Sequence, residues 1–146
     1  MTPPAQCPDH VMSRVLVVDD EAELCQMLAI GLDKTRFQIN FAENAAVAYS
    51  LLVQEPYDAI VTDVMMPGED GISFLGRVHQ AWPDIPVILM TGYAHTQMAA
   101  DAVKNGAYDF VHKPFDLDHM RKIVEQAVNY SKLQLGDKTG KADYNT

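Results

Sequence analysis

Cysteine is scarce in this chain: Cys7 and Cys25 are too few and too unpatterned for a disulfide framework or a zinc site. Basic residues are also scarce. Eleven Lys and Arg against 20 Asp and Glu leave a net charge of −9, the wrong sign for gripping a nucleic acid by its phosphates. Such a surface suits basic partners and hard cations. No apolar run approaches a membrane span. The opening MTPPAQCPDH has neither a basic n-region nor an apolar h-region, so no signal peptide is expected and the cytoplasm is the expected compartment. What remains, 48% hydrophobic and 21% charged residues over 146 positions, is enough for one globular domain with a real core.

Residues 1–12 hold three prolines and little periodicity, and a flexible arm is expected there. Five units of strand then helix follow. Arg14 to Val18 is an apolar run suited to a strand buried on both faces. Leu24, Met27, Leu28 and Leu32 then recur at helical spacing to about Lys34. Phe37 to Phe41 is the second strand, and Asn44 can cap a helix whose inner face is Val47, Ala48, Leu51 and Leu52. Ala59 to Thr62 is the third strand. After Pro67 and Gly68, a third helix is marked by Ile72, Phe74, Leu75 and Val78. Ile85 to Met90 is the fourth strand, followed by a weaker helix over 96–104 that Gly106 ends. Tyr108 to His112 is the fifth strand, and the last helix opens near Asp116. It turns Leu117, Met120, Ile123, Val124, Ala127 and Val128 inward. Residues 136–146 are polar and aperiodic, and a disordered tail is expected. Short connections and right-handed crossovers make 13–135 one α/β domain, a (βα)5 doubly wound parallel sheet with helices on both faces.

In such sheets ligands gather at the carboxyl ends of the strands. The first strand ends on Asp19 and Asp20, the third on Asp63, the fourth on Thr91 and the fifth on Lys113. The second offers only Ala42-Glu43-Asn44, and lies outside the site if the first and third strands are neighbours. Three carboxylates, a hydroxyl and an ammonium suit a divalent metal and a phosphoryl group. Clustered carboxylates repel by roughly 4 kcal/mol per pair at about 4 Å. Magnesium, which takes one or two carboxylates and keeps several waters, relieves that repulsion. An aspartate can attack phosphorus to form an acyl phosphate, and positioning with charge neutralisation carries most of such a transfer. Lys113 complements the phosphoryl charge, and the Thr91 hydroxyl can donate to one of its oxygens.

Taken singly, each residue has a plainer reading. Asp19-Asp20-Glu21 can be a helix cap with an acidic first turn, and Asp63 an Asx-turn. Thr91 can be structural, and Lys113 a solvated surface lysine. Four strand ends supplying compatible groups tip the balance toward a site. His95, His112 and His119 have no paired ligand spacing, and His112 is expected to face outward on an edge strand. Cys25, on the first helix with no base in view, reads as an inert thiol.

The segments RVLVVDDE, VTDVMMPGEDG, VILMTGYA and GAYDFVHKPF occur in that order. They resemble the signatures of the response-regulator receiver domain of two-component signalling, over about Ser13 to Leu133. The resemblance implies a flavodoxin-like strand order, 2-1-3-4-5. It implies that Asp63 accepts a phosphoryl group from a sensor histidine kinase or a histidine phosphotransfer protein. The reaction would need Mg2+, held by Asp19, Asp20, Asp63 and the Met65 backbone carbonyl. Thr91 would be the switch hydroxyl, and Lys113, whose bond to Pro114 is commonly cis in this family, the lysine that meets the phosphoryl group. Phe110 falls at the aromatic switch position and lacks a tyrosine's hydroxyl, so its readout rests on ring burial.

Further partners implied are an output domain or protein target, and a second copy bound through the fourth helix, fifth strand and fifth helix. The implied role is a phosphoacceptor switch rather than an enzyme, with no direct nucleic-acid or membrane binding. It would act alone or as the receiver portion of a longer transcriptional regulator. Met65 and Tyr93 flank the water approach to the acyl phosphate and are bulky, so slow self-hydrolysis is expected. Two other classes fit less well. A phosphatase with Asp63 as nucleophile expects a second acid two residues on, where Met65 stands. A flavin carrier needs a Ser-, Thr- and Gly-rich loop where Asp19-Asp20-Glu21 would repel flavin phosphate.

Overall fold

The computed structural model describes residues 13–32, 37–64, 71–92, 104 and 106–144, with side chains to Ser131. Its strands are β1 (Ser13–Val18), β2 (Phe37–Ala42), β3 (Ala59–Asp63), β4 (Val87–Thr91) and β5 (Asp109–His112). They form one parallel sheet in the order β2-β1-β3-β4-β5, the architecture and order expected. The described helices are α1 (Ala22–Gly31), α2 (Ala45–Gln54), α3 (Gly71–Ala81) and a C-terminal helix (Leu117–Tyr144). Among the described residues no helix is long and apolar enough to cross a membrane. The arm at 1–12 lies outside the described residues, as does the expected helix over 96–104 apart from Lys104.

Strand periodicity divides the core in two. On β1, Val15 and Val17 point to the side covered by α1 and the C-terminal helix, where they meet Leu28, Met120 and Val124. Leu16 and Val18 point to the side of α2 and α3, among Ala48, Leu52, Phe74 and Leu75. Successive strand residues face opposite sides, so an unbroken apolar run is what a strand with both faces covered requires. β3 and β4 are buried at every position, whereas β2 and β5 form the edges and each carries exposed residues, Gln38 and Phe41 on β2 and Phe110 and His112 on β5. His112 is exposed on edge strand β5, as expected.

Two helix faces differ from expectation. α1 buries Cys25 and Leu28, with Leu32 just beyond its end, and leaves Met27 39% exposed. α2 buries Ala45, Ala48 and Leu52 and leaves Val47 39% exposed. The reason is angular. Cys25, Leu28 and Leu32 fall at i, i+3 and i+7, as do Ala45, Ala48 and Leu52. Met27 and Val47 each sit about 100° off that line.

The C-terminal helix buries Met120, Ile123, Val124, Ala127 and Val128, the face expected, and Ser131 one turn on. Its backbone then stays helical to Tyr144, over most of the segment expected as a disordered tail. No proline interrupts it after Pro114. Once nucleated, a helix gains one hydrogen bond per residue, and Gly136 and Gly140 each weaken it by only about 1 kcal/mol.

The ends are locally specified. Asn44 Oδ1 accepts a 2.9 Å hydrogen bond from the Val47 N–H and caps α2. Gly71 opens α3 so close to β3 that a Cβ there would lie 2.3 Å from the Asp63 carbonyl oxygen. At the other end of the sheet, Arg14 pairs with Glu55, and the Arg14 N–H donates to Asp58 Oδ2 at 2.8 Å.

Candidate functional site

The sheet delivers its polar groups to one edge. Beyond β1 the Asp19 N–H still donates to the Ala42 carbonyl at 3.0 Å, so the residue is held as though on the strand. Its side chain turns into the interior, 3% exposed. Asp63 is the last residue of β3, in register with Met90 on β4. The chain is fixed on both sides of the next residue. Val64 donates to the Met90 carbonyl at 3.0 Å and accepts from the Gly71 N–H at 2.7 Å. Just past β5 the Lys113 N–H donates to the Thr91 carbonyl at 2.7 Å, which sets the lysine beside buried Thr91. The bond from Lys113 to Pro114 is cis.

Lys113 Nζ then reaches three carboxylates: Asp63 Oδ2 at 2.8 Å, Asp19 Oδ2 at 3.2 Å and Glu21 Oε1 at 3.3 Å. The other Asp19 oxygen, Oδ1, accepts from the Glu21 N–H at 2.8 Å. Carboxylate oxygens of Asp19, Asp20 and Asp63 lie within 4.8 Å of one another. Asp20 is exposed while the other two are buried. On the β2 side the crevice opens into a cavity of about 600 Å³, lined among others by Asp20, Cys25, Phe41 and Val47.

The electrostatics record a shortage of positive charge. Burial pushes the Asp19 carboxyl up to about 6, and the Asp63 charge adds to the rise. The Glu21 N–H and the Lys113 ammonium act in the opposite direction. Burial alone would lower Lys113; its hydrogen bond to Asp63 and the charges of Asp19 and Asp63 outweigh this and hold it above the ordinary lysine value. Cys25, with Sγ 3.8 Å from the Asp19 carbonyl oxygen, is pushed up to about 11, first by burial and then by Asp19, Asp20 and Glu21. It is a neutral thiol, in keeping with the inert role read from sequence.

A donor set made only of carboxylate oxygens, too rich in negative charge for one lysine, suits a hard cation rather than a soft one. The residues therefore fit magnesium.

Of the residues singled out in the sequence, Asp19, Asp20, Asp63 and Lys113 come together and Thr91 lies alongside. Phe110 is on β5, 37% exposed. Met65, with its carbonyl, and Tyr93 lie outside the described residues. The sequence pattern does not single out two further positions. Glu21 stands in the sequence as the last of the acidic run Asp19-Asp20-Glu21, and a third acid running into a helix start is a visible signal. Gly71 stands in the sequence only as the last residue of VTDVMMPGEDG, and nothing in a sequence tells a turn glycine from one pressed against a distant strand.

A doubly wound sheet of this order, with an acidic cluster and a lysine at its carboxyl edge, belongs to a defined class. The response regulator receiver domain matches residues 15–125, and the chain belongs to that family. It is 36% identical over 123 residues to the regulatory protein AtoC of Escherichia coli K12, a match covering 84% of this chain and 27% of that protein. It is 33% identical over 120 residues to the DNA-binding transcriptional regulator NtrC of the same strain, covering 82% and 26%. The chain thus spans about a quarter of the length of these curated relatives. Among solved structures, the beryllofluoride-activated NtrC4 receiver domain dimer superposes with a TM-score of 0.78 at 32% identity, over 82% of this chain and 99% of that one. NtrX from Brucella abortus in complex with ADP gives 0.80 at 28% identity, over 88% of this chain and 30% of that one.

Proposed function

We propose that Asp63 is the phosphoacceptor of this receiver, charged by a sensor histidine kinase or a histidine phosphotransfer protein in a Mg2+-dependent reaction. The observation that carries the reading is the 2.8 Å contact of Lys113 Nζ with Asp63 Oδ2, at the buried end of a central strand and beside Asp19 and Asp20. An Asp63 oxygen bonds to phosphorus as the P–N bond of the donor breaks. The electron pair of that bond stays on the imidazole, which leaves as a neutral ring with its proton on the other nitrogen. Asp19, Asp20 and Asp63, with the Met65 carbonyl that the family resemblance implies, would hold magnesium, which would supply positive charge to the phosphoryl oxygens. Lys113 turns its ammonium to one of these oxygens, and the Thr91 hydroxyl donates to another.

The new group adds charge and acceptor oxygens at one strand end. As Thr91 moves toward it, the half-exposed Phe110 ring fills the space vacated, and β5 repacks against the C-terminal helix. This is a shift between two states, useful only to a partner that prefers one of them. The naming of AtoC and NtrC as regulators, each matched over about a quarter of its length, supports an output domain following this receiver in a longer protein. The NtrC4 receiver dimer supports a second copy as a partner, and the β5 face is the surface we propose for it. The domain acts as a switch without turning over an external substrate, and does not itself hold nucleic acid.

The test is intact mass after incubation with acetyl phosphate and Mg2+. Wild type gains one phosphoryl group; Asp63→Ala, and wild type with the metal chelated, gain none. A folded wild type that gains nothing from acetyl phosphate or phosphoramidate refutes the reading, as does an equal gain by Asp63→Ala.

A further inference from the structure

One charged group in the crevice has no part in the transfer just described. We propose that Glu21 is a positioning residue that holds the Lys113 ammonium in the resting protein and competes with the phosphoryl group for it. The inference rests on the phosphoacceptor reading and adds the element that restrains it.

Three observations carry it. An ammonium has three protons to donate, and Lys113 Nζ has three carboxylate partners within 3.3 Å: Asp63, Asp19 and Glu21. A phosphoryl oxygen that takes one of these protons must displace a partner. Asp19 is a poor leaving partner, since it is buried and its other oxygen is pinned by the Glu21 N–H. The Glu21 side chain is 64% exposed, so water can take over its solvation when the bond breaks. Of the two partners that do not themselves react, Glu21 is the exchangeable one.

The second observation is local. Glu21 is the N-cap residue of α1, yet its side chain makes no capping bond. Ser, Thr, Asp and Asn are the residues that cap well. A longer acid here gives up the cap and reaches across to Lys113 instead. Residues that break a local rule in this way mark functional positions. Thirdly, the group of carboxylates that share one 4.8 Å neighbourhood comprises Asp19, Asp20 and Asp63, without Glu21. Its carboxylate therefore serves the lysine, separately from the cation site.

Exchanging an exposed ion pair is worth about a two- to fivefold change in an equilibrium or rate. Glu21→Gln keeps the length of the side chain and removes the charge. Its phosphorylation by subsaturating acetyl phosphate with Mg2+, followed by intact mass, is expected to run about two- to fivefold faster than wild type. The same substitution in a Lys113→Ala background separates the cause. An effect acting through Lys113 vanishes there, whereas simple repulsion between Glu21 and an anionic donor persists.

A second readout does not need turnover. Beryllofluoride with Mg2+, titrated and followed by amide NMR, is expected to half-saturate Glu21→Gln at a lower concentration than wild type, and to bind both Lys113→Ala proteins alike. An unchanged or slower Glu21→Gln, or an equal acceleration in both backgrounds, overturns the proposal. A wild type that gains no phosphoryl group at all refutes the phosphoacceptor reading itself, so the two failures are distinguishable.

Discussion

Replacing Gly71 by alanine sets two effects of opposite sign against each other. Alanine is the better helix former, by at most about 1 kcal/mol at a position inside a helix. On propensity alone, Gly71→Ala at the start of α3 stabilises. The structure predicts the reverse. The new Cβ would stand 2.3 Å from the Asp63 carbonyl oxygen and 2.7 Å from the Val64 Cα. Both are backbone atoms, with no rotamer to turn away. β3 itself is paired to β1 on one side and β4 on the other, so α3 or the strand end must shift. Overpacking of this kind costs about 1–3 kcal/mol, and a clash against backbone belongs at the upper end.

Subtracting the propensity gain leaves a loss of about 2 kcal/mol, which for a domain of this size lowers Tm by roughly 6 °C. Because the atom struck belongs to Asp63, the site moves too. A carboxylate displaced by about 1 Å can slow the transfer on the order of a hundredfold. Thermal melting by far-ultraviolet circular dichroism and initial phosphorylation rates by intact mass measure the two consequences. A Tm equal to or above that of wild type, with an unchanged rate, would refute the reasoning.

Asn44→Ala removes the side-chain oxygen that caps α2 and is expected to destabilise by about 1 kcal/mol. The urea midpoint should fall with an unchanged slope, and a midpoint equal to wild type counts against the cap. Cys25 offers a pH test. Its thiol is pushed from the ordinary 9.0 up to about 11, and a raised thiol value means less thiolate at any pH below it. Two units correspond to roughly a hundredfold. At pH 8 iodoacetamide should therefore label the peptide containing Cys25 in urea but scarcely in the native protein, with the native rate still climbing past pH 9. Equal labelling in both conditions contradicts the burial described.

Much of this molecule was legible in its sequence because the signals coincided. Short apolar runs break off at acids, at Thr91-Gly92 or at Lys113-Pro114, so strand and candidate functional end are marked by the same few letters. What was not legible has identifiable causes. On α1 and α2 apolar residues flank the buried stripe, and composition does not say whether Met27 or Cys25, Val47 or Ala45, is the one turned inward. The contact of Glu21 with Lys113 spans 92 positions and appears only once β1 and β5 have been placed at one edge. Gly71 reads as a turn residue until the Asp63 carbonyl is seen behind it. The run of helix to Tyr144 has no apolar stripe to announce it.

The order of the strands has one more consequence. Asp63 ends the middle strand of five, walled in on both flanks, while Lys113 and Phe110 belong to a strand at the rim. Phe110 and His112, exposed on β5, can be exchanged for other side chains without touching either half of the core. The carboxylate proposed as phosphoacceptor has no such latitude, since every residue of its strand is buried. Chemistry and audience are thereby separated within one sheet. On the proposed reading, the same phosphoacceptor can be put at the service of a different listener by redrawing the rim alone.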